Sequence, residues 1–314
     1  MSTSKKIWYD FHNIIRIVSF LLIFVSSPVI YADEGIKHDI VIGRVSDNPQ
    51  KHYKKMKPMA DYLAKHLKDM GINNVRVLLA ANGEQMAQYM RQGKVDIATE
   101  TAFLASYLRD KAGAEPILKT WRKGAPSYHT VFFVRKDSGI NNLIDLMGKT
   151  IAFEEPRSTS AYIVPASVFI QKGFKLIELS SPREQPPSDK IGYVFSGEEI
   201  NSTMLVHKRL VQAAAFSNLD WASDDDLPKA IRNEMRIIYK TKEFPRALEL
   251  VRKSLNPVIK ERIKYLLLKA NKDPEGVSVL REYHYVTKFT RLEKSDHEGL
   301  DEAAKLREIV KDNL

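Results

Sequence analysis

The sequence predicts an α/β protein of two lobes joined by two chain crossings, a hinged clamshell. Three observations predict it. Short apolar runs of strand length alternate with stretches whose apolar residues recur every three or four positions, the pattern of a sheet built mostly from parallel strands. A second set of such units, roughly 128–216, sits inside the first, because the strand-like run 235–240 and the helices after it still need a partner upstream. The chain of 314 residues is also long enough for two domains.

The first residues stand apart from this pattern. Lys5, Lys6 and Arg16 precede the apolar run from Ile17 to Val25, which is followed by Pro28 and by the small residue Ala32. A basic start, a short apolar core and a small residue at a cleavage point describe a secretory signal peptide. The core is shorter than the roughly 20 residues that a membrane span requires. Cleavage after Ala32 and a periplasmic protein are expected. The chain has no cysteine, which excludes a disulfide framework, thiolate chemistry and a lipid-modified cysteine at the cleavage point. The formal charge is +10, but Lys and Arg are scattered among acidic residues with no aromatic-interleaved basic run. That distribution reads as a solvated surface and argues against nucleic acid as a partner.

Asp39 to Gly43 is a short buried strand opening into a loop. Met56, Met59, Ala60, Leu63, Leu67 and Met70 then form one face of a helix that Gly71 stops. Val75–Ala80 is the second strand, Asn82-Gly83 opens a short helix, and 93–98 returns to strand before Thr99-Glu100-Thr101. Polar residues thus stand at the C-terminal ends of successive strands, where open α/β sheets bind ligands. Asn82, Thr99, Glu100 and Thr101 are the candidates on this half, with helix capping, which Thr99 or Thr101 would satisfy, as the competing role.

Residues 114–121 and 128–134 read as strands, 142–148 as a short helix closed by Gly148. Thr150–Phe153 then runs into Pro156 and three consecutive hydroxyl residues, Ser158, Thr159 and Ser160, ahead of a helix from about Ala161. Free N–H groups and the positive end of a helix dipole meet at such a turn, which suits an anion; equally, Ser158 or Ser160 could simply cap the helix. Strands over 174–179 and 210–216, and a helix from Gly197 to about His207, complete the inner unit. Asp224-Asp225-Asp226 reads as a solvated acidic loop, since three adjacent carboxylates lack the spacing of a calcium loop. Residues 296–312 form an amphipathic helix with Leu300, Ala303, Ala304 and Val310 available to pack on the first lobe. The expected division is a signal peptide at 1–32, a first lobe from 33–126 and 226–314, and a second lobe from 127–225. The crossings fall near 122–130 and 217–235.

At this point the residues resemble a known family. Leu143–Phe153 followed by Pro156–Pro165, together with Gly93–Ala98 and with Tyr128 ahead of Val131–Ser138, is similar to the phosphate/phosphite/phosphonate-binding periplasmic proteins of ABC transporters. The similarity covers roughly 38–255, and Ser-Thr-Ser-x-Tyr-x-Val-Pro is its most specific part. It implies a type II periplasmic binding protein that traps its ligand on lobe closure, with Ser158, Thr159, Ser160 and Tyr128 as ligand contacts. Other parts of the pattern depart. The aromatic residue expected after the Asp-Ile-Ala strand is Thr99-Glu100-Thr101 here, a tyrosine near the end of the second strand is Asn82-Gly83, and a Gly-His-Glu element reads Gly197-Glu198-Glu199. If Glu100 or Glu198 faces the pocket, it meets the anion. Two like charges 4 Å apart at an effective dielectric of 20 repel by about 4 kcal/mol, roughly a thousandfold in affinity. A ligand with a cationic or hydroxyl-rich end beside the glutamates and an acidic group at Ser-Thr-Ser fits better. In the competing reading both glutamates sit on helix first turns and face solvent.

A monomer without cofactor or metal is expected, delivering a small polar or anionic ligand to an inner-membrane ABC permease. The alternative is the same fold feeding a membrane sensor, a kinase or cyclase. An enzyme is not expected: there is no Gly-x-Ser-x-Gly elbow, no His-Glu-x-x-His, no P-loop, and the eight histidines lack metal-ligand spacing.

Overall fold

The computed structural model describes residues 39–46 and 48–313, so the expected signal peptide lies outside the described residues. The chain opens with β1 (Asp39–Val45), α1 (Pro49–His66), β2 (Asn74–Ala80), α2 (Gly83–Arg91), β3 (Ile97–Glu100), α3 (Ala102–Ala112) and β4 (Glu115–Arg122). It crosses through the short β5 (Ser127–Tyr128) into β6 (Thr130–Arg135), β7 (Thr150–Phe153), α4 (Val164–Gln171), β8 (Leu176–Glu178) and β9 (Ile191–Phe195). Next come α5 (Glu199–His207), β10 (Ala213–Ser217), α6 (Asn218–Ala222), α7 (Lys229–Arg232) and β11 (Met235–Lys240). A second crossing, β12 (Phe244–Pro245), leads to β13 (Leu248–Val251), α8 (Pro257–Lys269), α9 (Pro274–Glu282), β14 (Val286–Thr290) and α10 (Lys294–Asn313).

Two six-stranded sheets result, ordered β14-β4-β13-β3-β1-β2 and β11-β6-β10-β7-β9-β8. Within the first, β1 is parallel to β2 and β3, while β13 returns antiparallel between β3 and β4. In the second, β7, β8, β9 and β10 run parallel, β6 is antiparallel to β10, and β11 is antiparallel to β6 and so runs in the direction of the others. Both are mixed α/β sheets, the architecture of a two-lobed type II periplasmic binding protein.

Local chemistry explains the elements. Asn48 caps α1 by accepting the Lys51 N–H, Pro49 occupies the first turn where no donor is needed, and Gly71 ends the segment at φ 74°. Met56, Met59, Ala60 and Leu63 are buried along one face of α1, packed on Ile40, Ile42 and Val75 of the sheet. Gly43 admits the close neighbour strand: a Cβ there would lie 2.6 Å from the Leu78 carbonyl oxygen. In the second lobe the central strand β10 is Ala-Ala-Ala-Phe-Ser, buried throughout, and its small side chains leave room for helices on both faces.

Two expectations need correction. The run 235–240 was expected back in the first lobe; it pairs antiparallel with β6, Ile237 opposite Phe133, as an edge of the second sheet. The segment between β10 and β11 is folded into α6 and α7 and returns to the sheet it left. The second crossing is therefore at 241–247, where Phe244 and Pro245 pair with Tyr128 and Ser127 of the first. The C-terminal helix also does more than cover the first lobe. Leu300 enters the first-lobe core, Ala303 and Leu306 pack at the hinge with Phe103, Tyr128 and Phe244, and Val310 reaches the second-lobe core. Arg307 fixes it to α3 through Ser106 Oγ at 2.8 Å and Asp110 at 2.7 Å. Asp224 and Asp225 are exposed, as expected of a solvated loop, and Asp224 pairs with Arg232. Among the described residues no helix is long and apolar enough to cross a membrane.

Candidate functional site

Between the lobes lies a cavity of about 260 Å³, lined from the ends of β1, β3, β7 and β10 and from the hinge. It occupies the place where the strand order of an open α/β sheet leaves a crevice.

The hydroxyl turn forms one wall. Ser158 Oγ accepts the Ala161 N–H at 3.2 Å, so it does cap the following helix, whose first turn, Thr159–Ile163, is a wide π-helical one. Capping and cavity lining coexist, because Ser158, Thr159 and Ser160 all border the cavity. Thr159 Oγ1 stands 3.2 Å from Thr101 Oγ1 of the opposite lobe and also bonds to the Tyr128 phenol. The Ser160 carbonyl accepts from Thr130 Oγ1 at 2.8 Å, while its hydroxyl has no protein partner among the described residues. A second link between the lobes runs from Arg157 Nη1 to the Ala81 carbonyl at 3.1 Å.

Carboxylates crowd the same cavity. Glu154, at the end of β7, is hydrogen-bonded to Glu199, on the first turn of α5, and such a pair requires a proton on one partner. Burial raises the pKa of both, and each is raised further by neighbouring carboxylates, Glu155 for Glu154 and Asp220 for Glu199. Asp220 is raised by burial too, although Ser217 donates to it from Oγ at 2.6 Å and from N at 3.1 Å, and Arg246 lies nearby. Glu100 behaves differently. Its Oε1 accepts the Val45 N–H at 2.5 Å, and burial pushes its pKa up to about 7 against the opposing pull of Arg44, Val45 and Arg122. Arg246 completes the hinge side, its guanidinium 4.9 Å above the Tyr128 ring.

Six of the residues picked from sequence, Ser158, Thr159, Ser160, Glu100, Thr101 and Tyr128, are brought together here. Asn82 is not: its side chain accepts the Gln85 N–H at 2.9 Å as the cap of α2, outside the cavity. Glu198 is exposed just before α5, and Glu199, about 100° further round, lines the cavity instead. Sequence reasoning missed Glu154, Asp220, Arg44 and Arg246. For Asp220 a signal existed: Ser217-x-x-Asp220 directly after a buried strand is a capping box, and the structure contains it.

Comparison with known proteins identifies the family and the fold. The sequence profile of the phosphonate ABC transporter periplasmic substrate-binding proteins matches residues 42–297. The chain belongs to that family. It is 30% identical over 219 residues to the phosphonates-binding periplasmic protein of Escherichia coli, covering 68% of this chain and 61% of that one. The chain thus spans less than two thirds of that relative's length. A Xanthomonas citri protein, solved once with chloride and once with ATP, is 34% and 33% identical in the two structures, both with TM-score 0.81 over 88% of this chain. They are covered to 100% and 99%. A Prochlorococcus marinus protein solved with methylphosphonate shares the fold at 16% identity, TM-score 0.62, over 87% of this chain and 99% of that one.

Proposed function

We propose that the chain is a monomeric periplasmic solute-binding protein that closes its lobes on a small ligand and presents it to an inner-membrane ABC permease. One observation carries the reading of the ligand: a hydroxyl-rich helix start and a half-buried carboxylate group share one cavity. An acidic head, phosphonate or phosphate, is held by the first-turn N–H groups and hydroxyls of Ser158–Ser160, with Thr101 and Tyr128 beside them. A cationic or donor-rich end lies against Glu154, Glu199 and Asp220. The relatives support an anion, since their names or structures specify phosphonates, chloride and ATP.

Binding without turnover is the reading that the family supports. The chain has no cysteine, and Ser46 Oγ lies 2.6 Å from His52 Nδ1 where both border the cavity. Glu154 and Glu199 are bonded to each other instead of flanking a reacting group.

Isothermal titration calorimetry with inorganic phosphate, methylphosphonate and ω-aminoalkylphosphonates tests the proposal. Aminoalkylphosphonates bind at least about tenfold tighter than methylphosphonate, and S158A/T159A/S160A loses all of them while keeping its circular dichroism. Absence of heat with every anion and zwitterion would sink the reading.

A further inference from the structure

A second cavity of about 540 Å³ adjoins the first and shares Arg44, His52, Asp220 and Arg246 with it. Its chemistry is the reverse. Arg44, Lys51, Lys55, Arg122, Lys123 and Arg246 line it, against two carboxylates, Asp220 and Asp226, on the opposite side. None of these six cations makes an ion pair within 4 Å among the described residues. The side-chain Nε atoms of Arg122 and Arg246 are buried without a hydrogen-bond partner. Lys51 and Lys123 are exposed, while Arg44, Lys55, Arg122 and Arg246 are half-buried, where donors are more often paired.

The positive charges act on one another. Arg122 is lowered to about 9 by burial and by Arg44 and Arg246, against the opposing pull of Tyr283 and Glu249. Lys55 is lowered by burial and by Lys51, Arg44, Arg122 and Lys123. His284 is lowered by burial and by Arg122, Arg44, His52 and Lys55, so it stays neutral and accepts from the Arg44 guanidinium, 3.2 Å from Nε2. The backbone shows a related cost. Among the described residues four non-glycine positions have positive φ, and three of them, Lys123 (51°), His284 (54°) and Tyr285 (57°), border this cavity. Lys123 N donates to the Tyr285 carbonyl at 2.9 Å, tying the two strained segments together, and Lys55 Nζ lies 5.1 Å from the Tyr285 ring centre. Backbone strain and a wall of cations that outnumbers the carboxylates near it suit a site for an anion.

We propose that this cavity is a second subsite for a chain of phosphates, so that the cleft accepts a di- or triphosphate whose first group sits at the hydroxyl turn and whose further groups lie among Arg44, Lys51, Lys55, Arg122, Lys123 and Arg246. A single phosphate or phosphonate fills only the first cavity. Each added phosphate meets two or more cations, and such charge-assisted contacts are the strong ones. Asp220 and Asp226 confine the phosphates to the first-lobe side, since an anion against them is repelled. The inference rests on the anion-binding reading of the first cavity, which it extends.

Calorimetry with inorganic phosphate, pyrophosphate and tripolyphosphate tests it. Affinity rises by at least about tenfold from phosphate to tripolyphosphate, and the rise shrinks as salt is added. In K51A/K55A/K123A, which changes only the second subsite, phosphate binds as in the unaltered protein and the preference for tripolyphosphate is lost. In S158A/T159A/S160A phosphate binding disappears and weak tripolyphosphate binding persists. Tripolyphosphate binding no tighter than phosphate, or a preference retained by the triple lysine variant, overturns the second subsite and leaves the first-cavity reading intact. Tripolyphosphate binding unaffected by S158A/T159A/S160A, with no phosphate binding in any form, overturns the first-cavity reading instead.

Discussion

Glu100, buried, and Glu199, half-buried, are glutamates at the cleft whose pKa values desolvation raises, yet they stand on opposite lobes in opposite states. Glu100 is a finished joint: the Val45 N–H at 2.5 Å and the nearby Arg44 and Arg122 favour its charge. Glu199 is unfinished, because the groups facing it are Glu154, Asp220 and Asp226. The comparison teaches that a raised pKa alone does not mark a binding residue. What separates the two is whether the surrounding groups complete the charge or oppose it.

Removing the two side chains should therefore change stability in opposite directions. Glu100→Ala leaves the Val45 N–H buried and unpaired and is expected to cost about 2–3 kcal/mol in urea denaturation. Glu199→Gln keeps a donor for Glu154 and removes a repelled charge, so the ligand-free protein should gain about 1 kcal/mol at pH 8. Equal losses from both would erase the distinction. The same Glu199→Gln variant is expected to lose about tenfold in affinity for aminoalkylphosphonates while holding methylphosphonate as before. Equal weakening of both ligands would mean that Glu199 acts on the fold and not on the cationic end.

The pH dependence sharpens the contrast further. A carboxyl whose folded pKa is raised binds more protons folded than unfolded, so its contribution to stability is present at low pH and lost as pH rises through the folded value. Below about 6.5 the neutral His284, whose pKa is lowered, opposes this trend, because the unfolded chain binds the extra proton there. Above 6.5 the raised carboxyls dominate, and Arg122, lowered to about 9, opposes them only toward the upper end of the interval. The ligand-free protein should lose on the order of 1 kcal/mol between pH 6.5 and 8.5, and Glu199→Gln should flatten that fall. A rise in melting temperature over this interval would contradict the assignment.

Much of this was legible in the chain, and the failures share a cause. Alternating strands and amphipathic helices gave both sheets, and the Ser-Thr-Ser turn was placed correctly because strand, loop and helix are adjacent in sequence. The strand 235–240 was assigned to the wrong lobe because edge pairing between Ile237 and Phe133 depends on residues about a hundred positions apart. Glu198 was preferred to Glu199 because a helix phase one residue off looks the same in a list of carboxylates. Asp220 was hidden by the more conspicuous 224–226 run, and Arg44 and Arg246 carry no local motif. Long-range convergence, which makes a cleft, is the part that periodicity does not encode.

The smallest expected effect lies where the two walls touch. Thr159 Oγ1 of the second lobe and Thr101 Oγ1 of the first are 3.2 Å apart, and Thr159 is buried. Thr101→Val keeps the shape and removes one hydroxyl, so the loss should be one hydrogen bond, about 0.5–1.5 kcal/mol. If the bond only steadies the lobes, that loss appears in ligand affinity as a fewfold drop carried by a faster dissociation rate, with association unchanged, since a closure contact forms after encounter. If instead Thr101 holds the acidic head directly, affinity falls further and methylphosphonate suffers as much as larger ligands. Stopped-flow dissociation of Thr101→Val beside the unaltered protein separates a latch between the lobes from a contact to the ligand.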